Sequence, residues 1–188
     1  MKTQQTSKDK GIAYKIEVPQ GITCEMNDIG IIKIKGSKGE AERRLLHPLV
    51  ILKKEGSNIT LATKSSKRKS KRMVNSYHAH ILNLLRGAQE GFIYKLKICS
   101  GHFPMTVKQE GDKIVISNFL GEKIPRIAQI LPGAKIKIEK EVIIVEASNI
   151  ESAGQTAANI EMATRVKGRD RRVFQDGIYI TEKPVRIK

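Results

Sequence analysis

The chain is written twice. A step of 82 positions carries Gly39-Glu40 onto Gly121-Glu122, and Ile32 and Ile34 onto Ile114 and Ile116. Further on, Ile81 matches Ile160 and Arg86 matches Arg165 at a step of 79. Gln89-Glu90-Gly91 matches Gln175-Asp176-Gly177 at a step of 86. The step changes only inside expected loops or at helix ends, where insertions are tolerated. An ordered series of this kind marks a duplicated unit and restricts the fold to two small, similar modules. Each copy takes about 80 residues, short enough for its core to be marginal.

Periodicity fills in the copies as short strands, one helix and a closing strand. Tyr14, Ile16 and Val18 alternate with Lys15 and Glu17, a half-buried strand that ends at Pro19-Gln20-Gly21. Residues 22–26 and 31–35 read as strands, followed by the glycine turn 36–40 and further strands over 43–53 and 58–63. A cationic run, 64–72, leads into a helix reaching about Arg86. Met73, Tyr77, Ile81 and Leu84 form its buried stripe, and Gly87 is its expected stop. Phe92, Tyr94, Leu96 and Ile98 alternate as a strand that closes the first copy and opens the second, with no flexible linker between them. Ser148-x-x-Glu151 has capping-box spacing, and the helix after it carries a stripe of small residues: Ala153, Thr156, Ala157, Ile160, Ala163 and Thr164. The predicted organisation is α+β, with two tandem duplicated domains held at a nearly fixed angle. A polar tail occupies 1–11, an N-terminal repeat 12–95, a C-terminal repeat 96–181 and a basic tail 182–188.

Charge restricts the partners. The chain has 35 Lys and Arg against 19 Asp and Glu, a formal charge of +16, which repels itself unless an anion is near. Nucleic acid, acidic protein and an anionic membrane are the candidates. No apolar run approaches the ~20 residues of a spanning helix, so membrane is the weakest of them. Cys24 and Cys99 lie far apart without C-x-x-C spacing, which points to reduced thiols in a cytosolic setting rather than zinc or a disulfide scaffold. His78 and His80 lack a Cys or carboxylate companion for a metal. Gly36, Gly39 and Gly121 lack the Gly-Lys-Ser/Thr ending of a phosphate loop and read as turns. No nucleophile elbow and no ligand cluster is present, so no enzyme and no cofactor are expected.

The charge is densest at one place. Arg165, Lys167, Arg169, Arg171 and Arg172 put five cations within eight residues, at the point where the second copy carries seven extra residues. A packed core cannot absorb them, so they face solvent or a polyanion. A guanidinium fork grips phosphate bidentately and stacks on bases, and Gly168 allows close backbone approach. Asp170 and Asp176 fit as partners that orient these arginines, or, for Asp176, as a turn residue before Gly177. Phe174 could stack on a base or fill the core. Gln155 and Asn159 lie off the inner stripe of their helix and could reach ribose or phosphate. Lys183 belongs to a tail expected to order on a partner. Lys67, Arg68, Lys71 and Arg72 form either a second nucleic-acid contact or a solvated lead-in to a helix.

The duplicated β-rich half, the turn Lys35-Gly36-Ser37-Lys38-Gly39-Glu40 and the run Asp170-Arg171-Arg172-Val173-Phe174-Gln175-Asp176-Gly177-Ile178-Tyr179 resemble the large-subunit ribosomal protein six family. The ending, with the helix over 155–161, resembles its archaeal and eukaryotic branch, on the archaeal side. The likeness spans about residues 12–181 and departs from the family form at Gly168-Arg169. It implies that each half packs two small sheets and one helix around one core. It also implies a structural, non-catalytic protein without cofactor, a cytoplasmic monomer within the ribosome at the base of the lateral stalk. There the C-terminal half would be the principal binder of large-subunit rRNA, beside neighbouring ribosomal proteins and close to where translation factors dock.

Overall fold

The computed structural model describes residues 3–8, 11–27, 30–63, 65 and 67–184. Contacts divide the chain into two compact units, Met1–Gly91 and Phe92–Lys188. The first runs β1 (Thr3–Lys8), β2 (Gly11–Glu17), β3 (Thr23–Met26), β4 (Ile31–Gly36), β5 (Gly39–Arg44), β6 (Ile51–Glu55), β7 (Asn58–Ala62) and α1 (Arg68–Gln89). Its strands form two antiparallel sheets, ordered β1-β2-β7-β6 and β3-β4-β5. Strand alternation explains the core: Ile32 and Ile34 point inward and are fully buried, while Lys33 and Lys35 between and after them stay exposed. Ile16, Ile59 and Leu61 from the other sheet meet Val74, Ile81, Leu85 and Ala88 of α1 in one cluster.

The second unit repeats this plan with β8 (Phe92–Cys99), β9 (Thr106–Glu110), β10 (Lys113–Ser117), a 3-10 turn (Phe119–Gly121), β11 (Arg126–Gln129), β12 (Ala134–Glu139), β13 (Val142–Ala147), α2 (Ile150–Ala163) and β14 (Gly177–Glu182). Its sheets are β12-β13-β8-β14 and β11-β10-β9, again antiparallel. Ile114 and Ile116 are fully buried, as Ile32 and Ile34 are, and Ile160 and Ile81 occupy equivalent inward places on the two helices. The small stripe lets α2 lie close: Ala153, Thr156 and Ala157 are completely buried against both sheets.

The structure corrects five sequence expectations. Residues 3–8, read as part of a frayed tail, form β1 and pair with β2 from Thr3↔Ile16 to Lys8↔Gly11. An edge strand needs no apolar alternation, so TQQTSK gave no strand signal. The strand over 92–99 belongs to the second unit, where it pairs with β13 and β14; β1 fills in the first sheet the place that β14 fills in the second. The stretch 43–53 is two strands separated by a loop around Pro48, since proline donates no ladder hydrogen bond. Helix α1 passes through Gly87, which is buried, and stops at Gly91, whose φ of +74° suits the left-handed exit. The cap of α2 is Asn149, not Ser148: its Oδ1 accepts from the Glu151 N–H at 2.9 Å.

A candidate nucleic-acid interface

The cationic stretch is an arch pinned at both ends. At its start the buried Thr164 hydroxyl donates to the Glu161 carbonyl at 3.2 Å and accepts from the Ile178 N–H at 2.9 Å. The Glu161 carboxylate accepts from the Ile180 N–H at 3.1 Å. The outer edge of β14 is thereby satisfied by the end of α2 rather than left open for another strand. Val166 then enters the core. At the far end Asp176, 4% exposed, accepts from the Gly101 N–H at 2.7 Å, the His102 N–H at 3.1 Å and the His102 ring at 3.2 Å. Burial alone would push its carboxyl up; the two amides and the imidazole outweigh that and hold it below the usual carboxylate range.

Between the pins everything basic faces outward: Arg165, Lys167, Arg169, Arg171 and Arg172 are all exposed. Gly168 takes φ +69°, a conformation that side chains disfavour, with open space around it. Asp170 organises the crest. Its carbonyl accepts from Val173 and Phe174 at 3.2 and 2.9 Å, its Oδ1 accepts from the Arg172 N–H at 2.9 Å, and its Oδ2 meets the Arg172 guanidinium at 3.0 Å. The side-chain and then the backbone bond from Arg172 hold its carboxyl below the ordinary range. Phe174 is half-buried against the core and has the Arg169 guanidinium over its ring at 4.8 Å, with His102 stacked at 5.0 Å. Asp176 contacts the connection after β8 rather than an arginine. Gly177 and Tyr179 follow on β14, where the Tyr179 hydroxyl donates to the Gln175 carbonyl at 3.1 Å.

Sequence reading missed Arg126. Its guanidinium donates to both Glu122 carboxylate oxygens, at 2.8 and 2.6 Å, and to the carbonyls of Ala163 and Arg165, at 2.9 and 3.0 Å. It also lies over the Phe119 ring at 4.3 Å. These bonds satisfy orphan carbonyls at the end of α2 and fix where the arch departs. The repeat held no signal for it: Arg126 pairs with Ile116, and the residue paired with the equivalent Ile34 in the first unit is Ala41.

The other candidates are dispersed. Gln155 donates to Asn159 at 2.9 Å and Asn159 to the Gln129 carbonyl at 3.0 Å, on the outer side of α2. Lys183 is exposed after β14, while Arg186 and Lys188 lie outside the described residues. In the first unit, Lys67, Arg68, Lys71 and Arg72 are exposed at the start of α1, whose first turn holds no acid. Lys64, which opens that run, lies outside the described residues. Cations at this end of a helix oppose its dipole, a cost of a few tenths of a kcal/mol each that an external anion would reverse.

Known proteins place this arrangement. The Ribosomal protein L6 family matches residues 18–91 and again 103–177, one match in each unit. The large ribosomal subunit protein uL6 of Aeropyrum pernix is 45% identical over 180 residues, covering 95% of this chain and 98% of that protein. Its counterpart in Methanococcus vannielii is 43% identical over 176 residues, 94% and 96% of the two chains. That of Methanosarcina mazei is 44% identical over 174 residues, 93% and 98%. All three organisms are archaea, within the archaeal and eukaryotic branch that the 170–179 motif resembles. With one family matched in both halves, and relatives similar along nearly their whole length, the chain belongs to the ribosomal protein L6 family.

Proposed function

We propose that this chain is a structural component of the large ribosomal subunit, in the cytoplasm, and that its C-terminal unit binds large-subunit rRNA through the 165–172 arch. The role is that of the family, structural and non-enzymatic. The observation that carries the RNA reading is the arch itself: five exposed cations on a backbone pinned by Thr164, Val166 and Asp176, with one carboxylate, Asp170, among them. A preformed cationic surface loses little conformational entropy on docking, and its affinity comes largely from releasing counterions. Such contacts position a protein without reading sequence, so selectivity rests on the shape of folded RNA. The location that fits the family resemblance is the base of the lateral stalk, beside neighbouring ribosomal proteins and the region where translation factors dock. One copy per particle is the expected stoichiometry. The first turn of α1, with Lys67, Arg68, Lys71 and Arg72, is a second rRNA contact in this reading, because four cations oppose the dipole there. No helix among the described residues is long and apolar enough to cross a membrane.

Sedimentation tests the reading directly. In a sucrose gradient of native lysate, the protein is expected in the large-subunit and whole-ribosome fractions at one copy per particle. Persistence at the top of the gradient, bound to assorted RNAs, would instead make it a free RNA-binding module.

A further inference from the structure

Beside the arch, the second unit holds an open cleft of about 800 Å³. Its floor is the outer face of the β8–β14 pair, where Lys97 and Cys99 stand opposite Tyr179 and Gly177 in the register. Its walls are the turn after β8, with His102, and the arch, with Arg171 and Val173. The charges in the lining nearly cancel, because Glu141 and Asp176 offset Lys97 and Arg171. A hole for phosphate would carry a clear positive excess, as the crest does. The lining offers something else. Val173 is 61% exposed and Tyr179 is 42% exposed, two large apolar surfaces left open in a strongly charged unit.

Tyr179 is mounted rather than loose. Its hydroxyl is tied to the Gln175 carbonyl at 3.1 Å, which fixes the ring. The ring lies across Gly177: a Cβ built there would meet the Tyr179 hydroxyl at 3.0 Å and two ring carbons at 3.1 and 3.2 Å. Gly177 needs no left-handed φ, so its missing side chain makes room for the aromatic ring. A ring held flat over a glycine keeps surface available to a second flat partner. Flat aromatic surface beside phosphate-binding cations is the combination that receives an unstacked base.

We infer that the cleft takes a single unpaired nucleobase of the bound RNA, stacked on Tyr179 and flanked by Val173, while the arch cations hold the phosphates on either side. This rests on the rRNA reading above and adds to it that the recognised RNA presents a bulged or looped nucleotide at this point. A continuous duplex keeps its bases stacked inside and cannot fill the cleft.

The full chain is titrated against a large-subunit rRNA transcript at several salt concentrations as wild type, Y179L and Y179F. Stacking on one aromatic side chain is worth roughly tenfold in affinity, so Y179L is expected to bind about tenfold more weakly with an unchanged salt slope. Y179F retains the ring and is expected to stay within about twofold of wild type. Ultraviolet cross-linking of the wild-type complex is expected to leave a nucleotide adduct on the peptide carrying Tyr179, and this readout stands even if Y179L fails to fold. Equal binding by Y179L and wild type, equal losses in Y179L and Y179F, or cross-links confined to other peptides would overturn the cleft assignment alone. Failure of the wild-type chain to bind the transcript would overturn the rRNA reading beneath it.

Discussion

Replacing Arg171 and Arg172 together with alanine is expected to weaken binding to large-subunit rRNA by up to about 25-fold at 0.15 M salt and to flatten its salt dependence. Each phosphate contact contributes about 0.7–0.9 to the slope of log affinity against log salt, so loss of two lowers it by roughly 1.4–1.8. At 0.15 M salt the same relation makes one contact worth about fivefold. The two arginines are not equal. Asp170 grips Arg172 through its backbone N–H and guanidinium, with contacts of 2.9 and 3.0 Å, so part of that charge is already compensated. No such carboxylate contact is found for Arg171 among the described ion pairs. Singly, R171A should therefore cost more slope than R172A, and D170N should raise affinity slightly by releasing Arg172. Both arginines are exposed, so the melting temperature should hardly move. A double variant with the wild-type slope would remove the arch from the interface.

The largest stability effect is expected at Gly36, far from any cation. A Cβ there would fall 2.9 Å from both the carbonyl carbon and the Cβ of Ala88, with the carbonyl oxygen nearer still. Ala88 is in the last turn of α1 and is fully buried. Its carbonyl accepts from the Lys38 N–H at 3.1 Å, and the neighbouring Gln89 carbonyl accepts from the Ser37 hydroxyl at 3.2 Å. The β4–β5 turn is thus clamped to the helix end with no room for a methyl group, and the obstacle is backbone, which cannot rotate away. Gly36→Ala should destabilise the chain by about 3 kcal/mol, at the upper end for overpacking. The control is Gly56→Ala. Gly56 has φ +59° with nothing within 4 Å, so its substitution carries only conformational strain, about 1 kcal/mol. Urea unfolding of the two variants separates crowding from strain; equal losses would mean that the turn and the helix end are not in contact.

Much of the fold was legible because it follows from periodicity. Ile32, Ile34, Ile114 and Ile116 announce two central strands by alternation, and the step of 82 between them reveals the duplication. What escaped was structure without an apolar signature. The polar segment Thr3–Lys8 becomes a strand only because β2 has an unpaired edge to offer. Gly87 resembled a helix stop, yet local chemistry does not reveal that its face is buried while Gly91 needs the positive φ. At the site, charge density pointed to Arg165–Arg172 and to Asp170 as a partner. It did not indicate that Asp176 would turn inward to the amides of Gly101 and His102, 75 and 74 positions away in sequence. Arg126 was hidden for the same reason: its roles depend on carbonyls of Ala163 and Arg165, brought to it by the packing of α2 on β11. Long-range polar contacts leave no local pattern to read.

The most direct measurement is a density map of the native large subunit at side-chain resolution. The guanidinium groups of Arg169 and Arg171 are expected within about 2.7–3.0 Å of rRNA phosphate oxygens, with the arch in its pinned conformation. Guanidinium groups directed into bulk water, with no polynucleotide along residues 165–172, would contradict rRNA binding through this face.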